Sequence, residues 1–191
     1  MNKVYSKHGK RVLDALIACL IGLFSLPAAL LAAALVRLED GKAAVFRQER
    51  LGQGGRAFTI LKLRSMAVGT VNVTSAQAGS LTVTRMGRVL RRTNLDEIPQ
   101  LWNVVRGDMS LVGPRPALPT QTDLTALRTA SGAINVRPGL TGLAQVNAYD
   151  GMSEQEKAAL DAKYAASISF SRDLAILLRT FSYLLKPPPR Y

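Results

Sequence analysis

Cysteine and histidine are nearly absent from this 191-residue chain, which has one of each, Cys19 and His8. A disulfide framework, a Cys/His zinc site and a Ser/His/Asp triad therefore cannot be assembled within one chain. Catalysis, if present, falls to Asp, Glu, Lys or Arg. Cys19 lies in an apolar run and reads as an inert buried thiol. Aromatic residues are also few, at 6%. Trp102 and scattered Tyr and Phe do not interleave with arginines, which argues against base stacking and hence against a nucleic-acid partner. Acids are outnumbered, 13 against 25 Lys and Arg, for a formal net charge of +12. That excess calls for an anionic partner such as a phosphorylated small molecule or an anionic membrane surface. The length suits one globular domain with a short appendage.

The appendage is legible from the absence of charge between Ala15 and Val36, "ALIACLIGLFSLPAALLAAALV", 22 residues. At about 1.5 Å per residue, a helix of that length matches the bilayer core. The run exceeds a usual signal-peptide core, and "VRLEDGK" after it is a poor cleavage site. Lys3, Lys7, Lys10 and Arg11 precede it, and Arg37, Lys42, Arg47 and Arg50 follow it. Equally basic flanks place both ends in the cytoplasm by the positive-inside rule, which a bent, re-entering helix satisfies and a straight span does not. Pro27 sits near the middle, where it frees the carbonyl of Leu23 and gives the helix a place to bend. A straight span with a proline kink is the alternative. The chain thus divides into a membrane segment, residues 1–40, and a cytosolic domain, residues 41–191.

In that domain, "AAVFRQER" and "AFTILKLRS" bracket "LGQGG" and predict a β-hairpin; the glycines lack the full phosphate-loop pattern, which favours a turn. Residues 67–84 are small, polar and uncharged, as in a mobile loop or lid. "MGRVLRR", "IPQLWNVVRG", "PTQTDLTALRTAS" and "SEQEKAALDAKYAASI" predict helices, with a capping box from Ser153 to Glu156. The last helix, "SRDLAILLRTFSYLLK", sets Leu174, Leu177, Leu178, Phe181 and Leu185 on one face, suited either to a membrane interface or to burial against the core. The tail "PPPRY" is expected to be extended. The fold class is α+β, mostly helical: a re-entrant membrane helix, a short hairpin, and amphipathic interfacial helices around a cytosolic catalytic core.

Between Leu51 and Thr122 there are nine Lys or Arg and three acids, two of which, Asp96 and Glu97, are adjacent. Carboxylates among arginines suit phosphoryl transfer, in which cations neutralise phosphates while an acid serves as nucleophile or metal ligand. At a helix start, the exposed amides and the dipole would favour ionised carboxylates. The competing structural reading is a capping box from Thr93 to Asp96, with Glu97 merely favouring the dipole.

Four stretches in one order, "FTILKLRSM", "LRRTNLDEIPQLWNVVRGDMSLVGPRP", "VRPGLTGLAQVN" and "DLAILLRT", resemble the bacterial sugar transferases, the monotopic phosphoglycosyl transferases. The resemblance covers essentially the whole chain and fits the compact members of the family. It implies transfer of a sugar-1-phosphate from a UDP-sugar to polyprenyl phosphate at the cytoplasmic face of the bacterial inner membrane, as the first membrane step of glycan assembly. It further implies Asp96 as nucleophile and Glu97 as its partner, helping to hold Mg²⁺. Lys62, Arg91, Arg115 and Arg137 match basic positions and become substrate-phosphate contacts, with Gln145 near the nucleotide. An oligomer is compatible with the sequence. There are two departures. The family often has serine directly before the membrane-helix proline, whereas here Ser25, Leu26 and Pro27 displace the hydroxyl by one position. After "AQVN", relatives commonly carry Gly-Arg where this chain has "AYDGM", which leaves the sugar open.

Two rivals are separable by product. A membrane-tethered basic binding protein would release no nucleotide, and a transferase moving the sugar alone would release UDP instead of UMP.

Overall fold

The computed structural model describes residue 5 and residues 9–69, 83–147 and 152–184. Most of the loop expected over residues 67–84, the stretch 148–151 and the C-terminal tail lie outside the described residues. The fold is mostly helical, as expected, with one short hairpin. The long N-terminal helix α1, Lys10–Asp40, keeps Pro27 inside it and ends on Gly41, whose positive φ of 73° suits a residue without Cβ. It is long and apolar enough to cross a membrane. Ser25 Oγ donates to the carbonyl of Ile21 at 2.7 Å, so the displaced hydroxyl still bonds the helix backbone just ahead of the proline.

The expected hairpin forms from β1, Val45–Leu51, and β2, Ala57–Leu63, antiparallel with Lys62 opposite Phe46. Gly54 and Gly55 carry φ of 67° and 76° in the turn, which supports the turn reading of "GQGG". Next come α2, Arg85–Thr93, and α3, Gln100–Arg106, with Pro99 at the N-cap of α3 and Gly107 past its end. Between the two helices, Leu95–Glu97 form one 3₁₀ turn. Then follow β3, Ser110–Val112, α4, Thr122–Ala130, β4, Gly139–Thr141, α5, Leu143–Val146, α6, Glu154–Ala165, and α7, Phe170–Leu184. The Ser153–Glu156 capping box is present at the start of α6.

Strands β3 and β4 pair in parallel. Sequence patterning misses them because three residues carry no readable alternation. Their contact depends on glycine. A Cβ on Gly113 would meet the Arg137 carbonyl at 2.3 Å, and one on Gly142 would meet the Gly113 carbonyl at 2.0 Å.

Helix α1 contributes to both main cores. Ala18 packs with Ile60, Leu101, Val104, Leu111, Tyr164 and Ile176, while Ala32 and Val36 pack with Leu63 and Leu90. Its two ends are also tied to the same domain. At the start, Lys10 Nζ contacts Asp173 at 2.7 Å, Asp14 accepts from Ser110 Oγ, and Arg11 donates to the carbonyls of Val104 and Val105 at the C-terminal end of α3. At the far end, Asp40 takes both terminal nitrogens of Arg64 at 2.6 Å, and Glu39 accepts from the Arg85 amide at the start of α2. Between these ties Leu20, Leu23, Phe24, Leu26, Leu30 and Leu31 are exposed. Cys19 is exposed with them, so the expected buried thiol instead lies on the outward apolar surface of α1.

Helix α7 divides the face expected of it. Ile176 is buried and Leu177 packs against the core, while Phe170, Leu174, Leu178 and Phe181 form an exposed stripe. Leu185 lies outside the described residues.

Candidate active site

The acid pair sits in the 3₁₀ turn that leads into α3, and Asn103 fixes that helix against the hairpin. Its buried side chain accepts from the Leu61 amide at 3.1 Å and donates to the Thr59 carbonyl at 2.8 Å, so α3 runs along β2. This brings Glu97 to Lys62, with Nζ 2.8 Å from Oε1. Asn94 enters the turn with a φ of 55°, a conformation asparagine tolerates better than most residues. The capping-box reading of Thr93 to Asp96 does not hold. Thr93 is the last residue of α2, and its hydroxyl donates back to the Val89 carbonyl at 2.9 Å.

The two acids are chemically unequal. Asp96 is buried, and its burial pushes the carboxyl up to about 6; Glu97 adds to the rise, while Lys62 and Arg91 oppose it. Burial also pushes Glu97 upward, but Lys62 and then Arg115 outweigh it and hold this carboxyl down to about 2. Neighbouring carboxylates separated in this way are suited to different tasks. Glu97 is a fixed anion, and Asp96 is a poorly solvated carboxylate near neutral pH.

Arg115 Nη2 lies 3.8 Å from Glu97 Oε1, on a loop stiffened by Pro114 and Pro116. The Arg115 carbonyl accepts from Nη1 of Arg128 at 3.0 Å, and Arg128 is neutralised by Asp161 in a buried pair at 2.6 Å. Arg91 is held from α2, its Nε donating to Ser65 Oγ at 3.0 Å. That approach depends on Gly87, where a Cβ would meet the Ser65 carbonyl at 1.9 Å.

Lys62, Arg91, Asp96, Glu97 and Arg115 therefore converge. Arg137 and Gln145 have no hydrogen bond or ion pair to the acid pair among the described residues. They lie on either side of β4, with the Arg137 backbone against Gly113. Gln145 donates to the Leu140 carbonyl, while its buried Oε1 lacks a partner among the described residues.

Ser65, Arg128 and Gln100 were not legible as site residues. Gln100, one helical turn beyond the acids, is buried and close enough to Glu97 to lower its pKa, yet its Nε2 reaches no acceptor at hydrogen-bond distance among the described residues. Its spacing of four from Asp96 and three from Glu97 was the available signal.

Residues 5–187 match the family model described as bacterial sugar transferase. The chain is 46% identical over 191 residues to the UDP-glucose:undecaprenyl-phosphate glucose-1-phosphate transferase of Caulobacter vibrioides, covering 95% of this chain and 72% of that one. It is 35% identical over 211 residues to the UDP-galactose-lipid carrier transferase of Erwinia amylovora, covering 97% of this chain and 43% of that one. It is also 38% identical over 188 residues to the UDP-N-acetylgalactosamine-undecaprenyl-phosphate N-acetylgalactosaminephosphotransferase of Aeromonas hydrophila, covering 95% of this chain and 44% of that one. The chain thus spans less than half the length of two of these three relatives. A family match over nearly the whole chain, joined to an acid pair set among converging cations, places this protein in the bacterial sugar transferase family.

Proposed function

We propose that the chain is a phosphoglycosyl transferase that moves a sugar-1-phosphate from a UDP-sugar to polyprenyl phosphate through a covalent intermediate on Asp96. The observation that carries this reading is the unequal acid pair under Lys62, Arg91 and Arg115. A carboxylate oxygen of Asp96 attacks the phosphorus that bears the sugar, and the bridging oxygen leaves with the bonding pair as UMP. An oxygen of polyprenyl phosphate then attacks the same phosphorus and displaces the Asp96 carboxylate. Each step forms one P–O bond and breaks one. Burial removes water that would stabilise the Asp96 carboxylate, which leaves it more reactive. The nearby cations offset its repulsion from the substrate phosphates.

Magnesium fits the donor set. The ion commonly takes one or two carboxylates and fills its remaining positions with substrate phosphates and water. Glu97 supplies one such carboxylate, held ionised by Lys62 and Arg115. It would hold the ion beside Asp96, and the ion would neutralise the phosphate oxygens.

Placement at the cytoplasmic face of the inner membrane is supported by the equally basic flanks of α1. Both ends of α1 bond to one domain while its apolar middle is uncovered, an arrangement that favours re-entry over crossing. The exposed stripe of α7 adds a second apolar surface suited to the bilayer interface. The sugar is left open, since the three relatives are named for three different UDP-sugars.

The test is incubation of the full chain in detergent with candidate UDP-sugars, Mg²⁺ and polyprenyl phosphate. UMP release is expected with one of them. Without lipid acceptor, one phosphosugar mass should remain on the peptide containing Asp96. Asp96→Asn should lower turnover by several orders of magnitude and leave no adduct. Release of UDP would assign sugar transfer alone, and UMP release only with both substrates present and no adduct would make Asp96 a base or metal ligand.

A further inference from the structure

Arg50 lies on β1, outside every motif that carries the family resemblance, yet its side chain reaches the site. It is half-buried, with Nε and Nη2 both donating to Gln48 Oε1 at 2.9 and 2.6 Å and Nη1 donating to the Pro116 carbonyl at 3.1 Å. Three of its five N–H groups are thereby used, leaving one on each terminal nitrogen.

The arginines buried for structural reasons here are neutralised by acids. Arg128 has Asp161 and Arg64 has Asp40. Arg50 is in no ion pair among the described residues. Its clamp is the amide of Gln48, itself buried, which aims the guanidinium without cancelling its charge. Burial, and after it Arg115, bring the Arg50 pKa down to about 10, with Glu97 opposing them.

The electrostatic neighbours also give an order across the site. Asp96 is acted on by Lys62, Glu97 and Arg91, Glu97 by Lys62 and Arg115, and Arg50 by Arg115 and Glu97. In the geometry, Arg115 lies 3.8 Å from Glu97, and Arg50 reaches the carbonyl of Pro116, the residue next to Arg115. Arg50 thus stands beside an arginine and has no acid of its own among the described residues, a local excess of positive charge that an anion would relieve.

We propose that Arg50 and Arg115 form a two-guanidinium seat for the nucleotide-side phosphate of a nucleoside diphosphate substrate, with Gln48 as the residue that positions Arg50. The inference rests on the transfer reading above, which supplies the second phosphate that the seat would hold. It adds to that reading a cation for the departing nucleotide that Lys62, occupied by Glu97, does not supply.

Gln48→Glu separates this role from a merely structural one. The carboxylate can hold the guanidinium as the amide does, so the Pro116 contact and the melting temperature should be kept or improved, but the charge of Arg50 is cancelled. Binding of UDP with Mg²⁺ to the full chain in detergent, measured by calorimetry, should weaken by about tenfold or more, equivalent to about 1.4 kcal/mol. KM for the UDP-sugar should rise by a similar factor. Arg50→Lys, which keeps charge but loses the planar fork, should weaken UDP binding as well. UDP affinity in both variants equal to wild type would overturn the seat, as would a wild type that binds no UDP. A wild type that binds UDP through Arg50 but releases no UMP would uphold the seat and refute the transfer reading. UMP release by the wild type with Arg50-independent UDP binding would do the reverse.

Discussion

Asp96 shows what burial does to a single carboxyl. Its carboxyl is raised by burial from 3.8 to about 6. The folded state therefore binds the proton more tightly than the unfolded chain does. This group's stability contribution is fully present below its unfolded pKa and is lost as pH rises through about 6. A nucleophilic role needs the ionised form, so kcat/KM should fall roughly tenfold per pH unit as pH drops below about 6. A pH–rate profile between 4.5 and 8 at ~0.15 M salt checks this; a flat profile through 6 would remove the ionised Asp96 from the mechanism. Asp96→Asn should also melt at a higher temperature than wild type at pH 8, because it removes the buried charge that costs stability there. Of the site residues, the acid pair, Lys62, Arg91 and Arg115 were legible from charge in a charge-poor context and from resemblance. Arg128, Ser65 and the clamp on Arg50 were not, because each acts through a partner far away in sequence, such as Asp161, Arg91 or Pro116.

At the scale of elements, the hairpin, α2, α3, α4, α6 and α7 were all announced by local chemistry: glycine turns, proline and serine starts, and apolar periodicity. The parallel β3–β4 pair was not, although β3 leads directly into the loop of residues 113–116 that carries Arg115. Its three glycines, Gly113, Gly139 and Gly142, allow backbone approach that any side chain would block. Gly113→Ala should therefore force the strands apart and destabilise the chain by about 1–3 kcal/mol, the usual cost of overpacking. Thermal melting followed by circular dichroism reads this, and KM for the UDP-sugar should rise with it as Arg115 is displaced. An unchanged melting temperature would show that the strands give way without strain. Gly54→Ala, in the hairpin turn where space is open, should cost less, since only its positive φ of 67° resists the substitution.

At the scale of the whole molecule, α1 is a scaffold with an apolar middle. It enters both main cores, and Lys10, Arg11, Asp14, Glu39 and Asp40 lash its two ends to the rest of the fold. Since ties at both ends favour re-entry, single cysteines at Lys3 and Lys42, in a chain with Cys19 replaced by Ser, should react with an impermeant reagent only from the cytoplasmic side. Labelling of one site from outside would establish a crossing helix. The amino-acid sequence alone determined which segment is apolar enough to cross a membrane, because lack of charge over 22 residues is a one-dimensional property. It also determined which elements form and which acids stand among cations, since propensity, capping and periodicity act within a few residues. Only the tertiary structure decided that Asp96 is raised and Glu97 lowered. Their surroundings are otherwise almost the same in sequence, and the difference comes from burial together with Lys62 and Arg115 brought in from other elements. It alone decided, too, that Arg50 reaches the loop that carries Arg115, because a charge in a strand has no address until the hairpin is packed against Pro116.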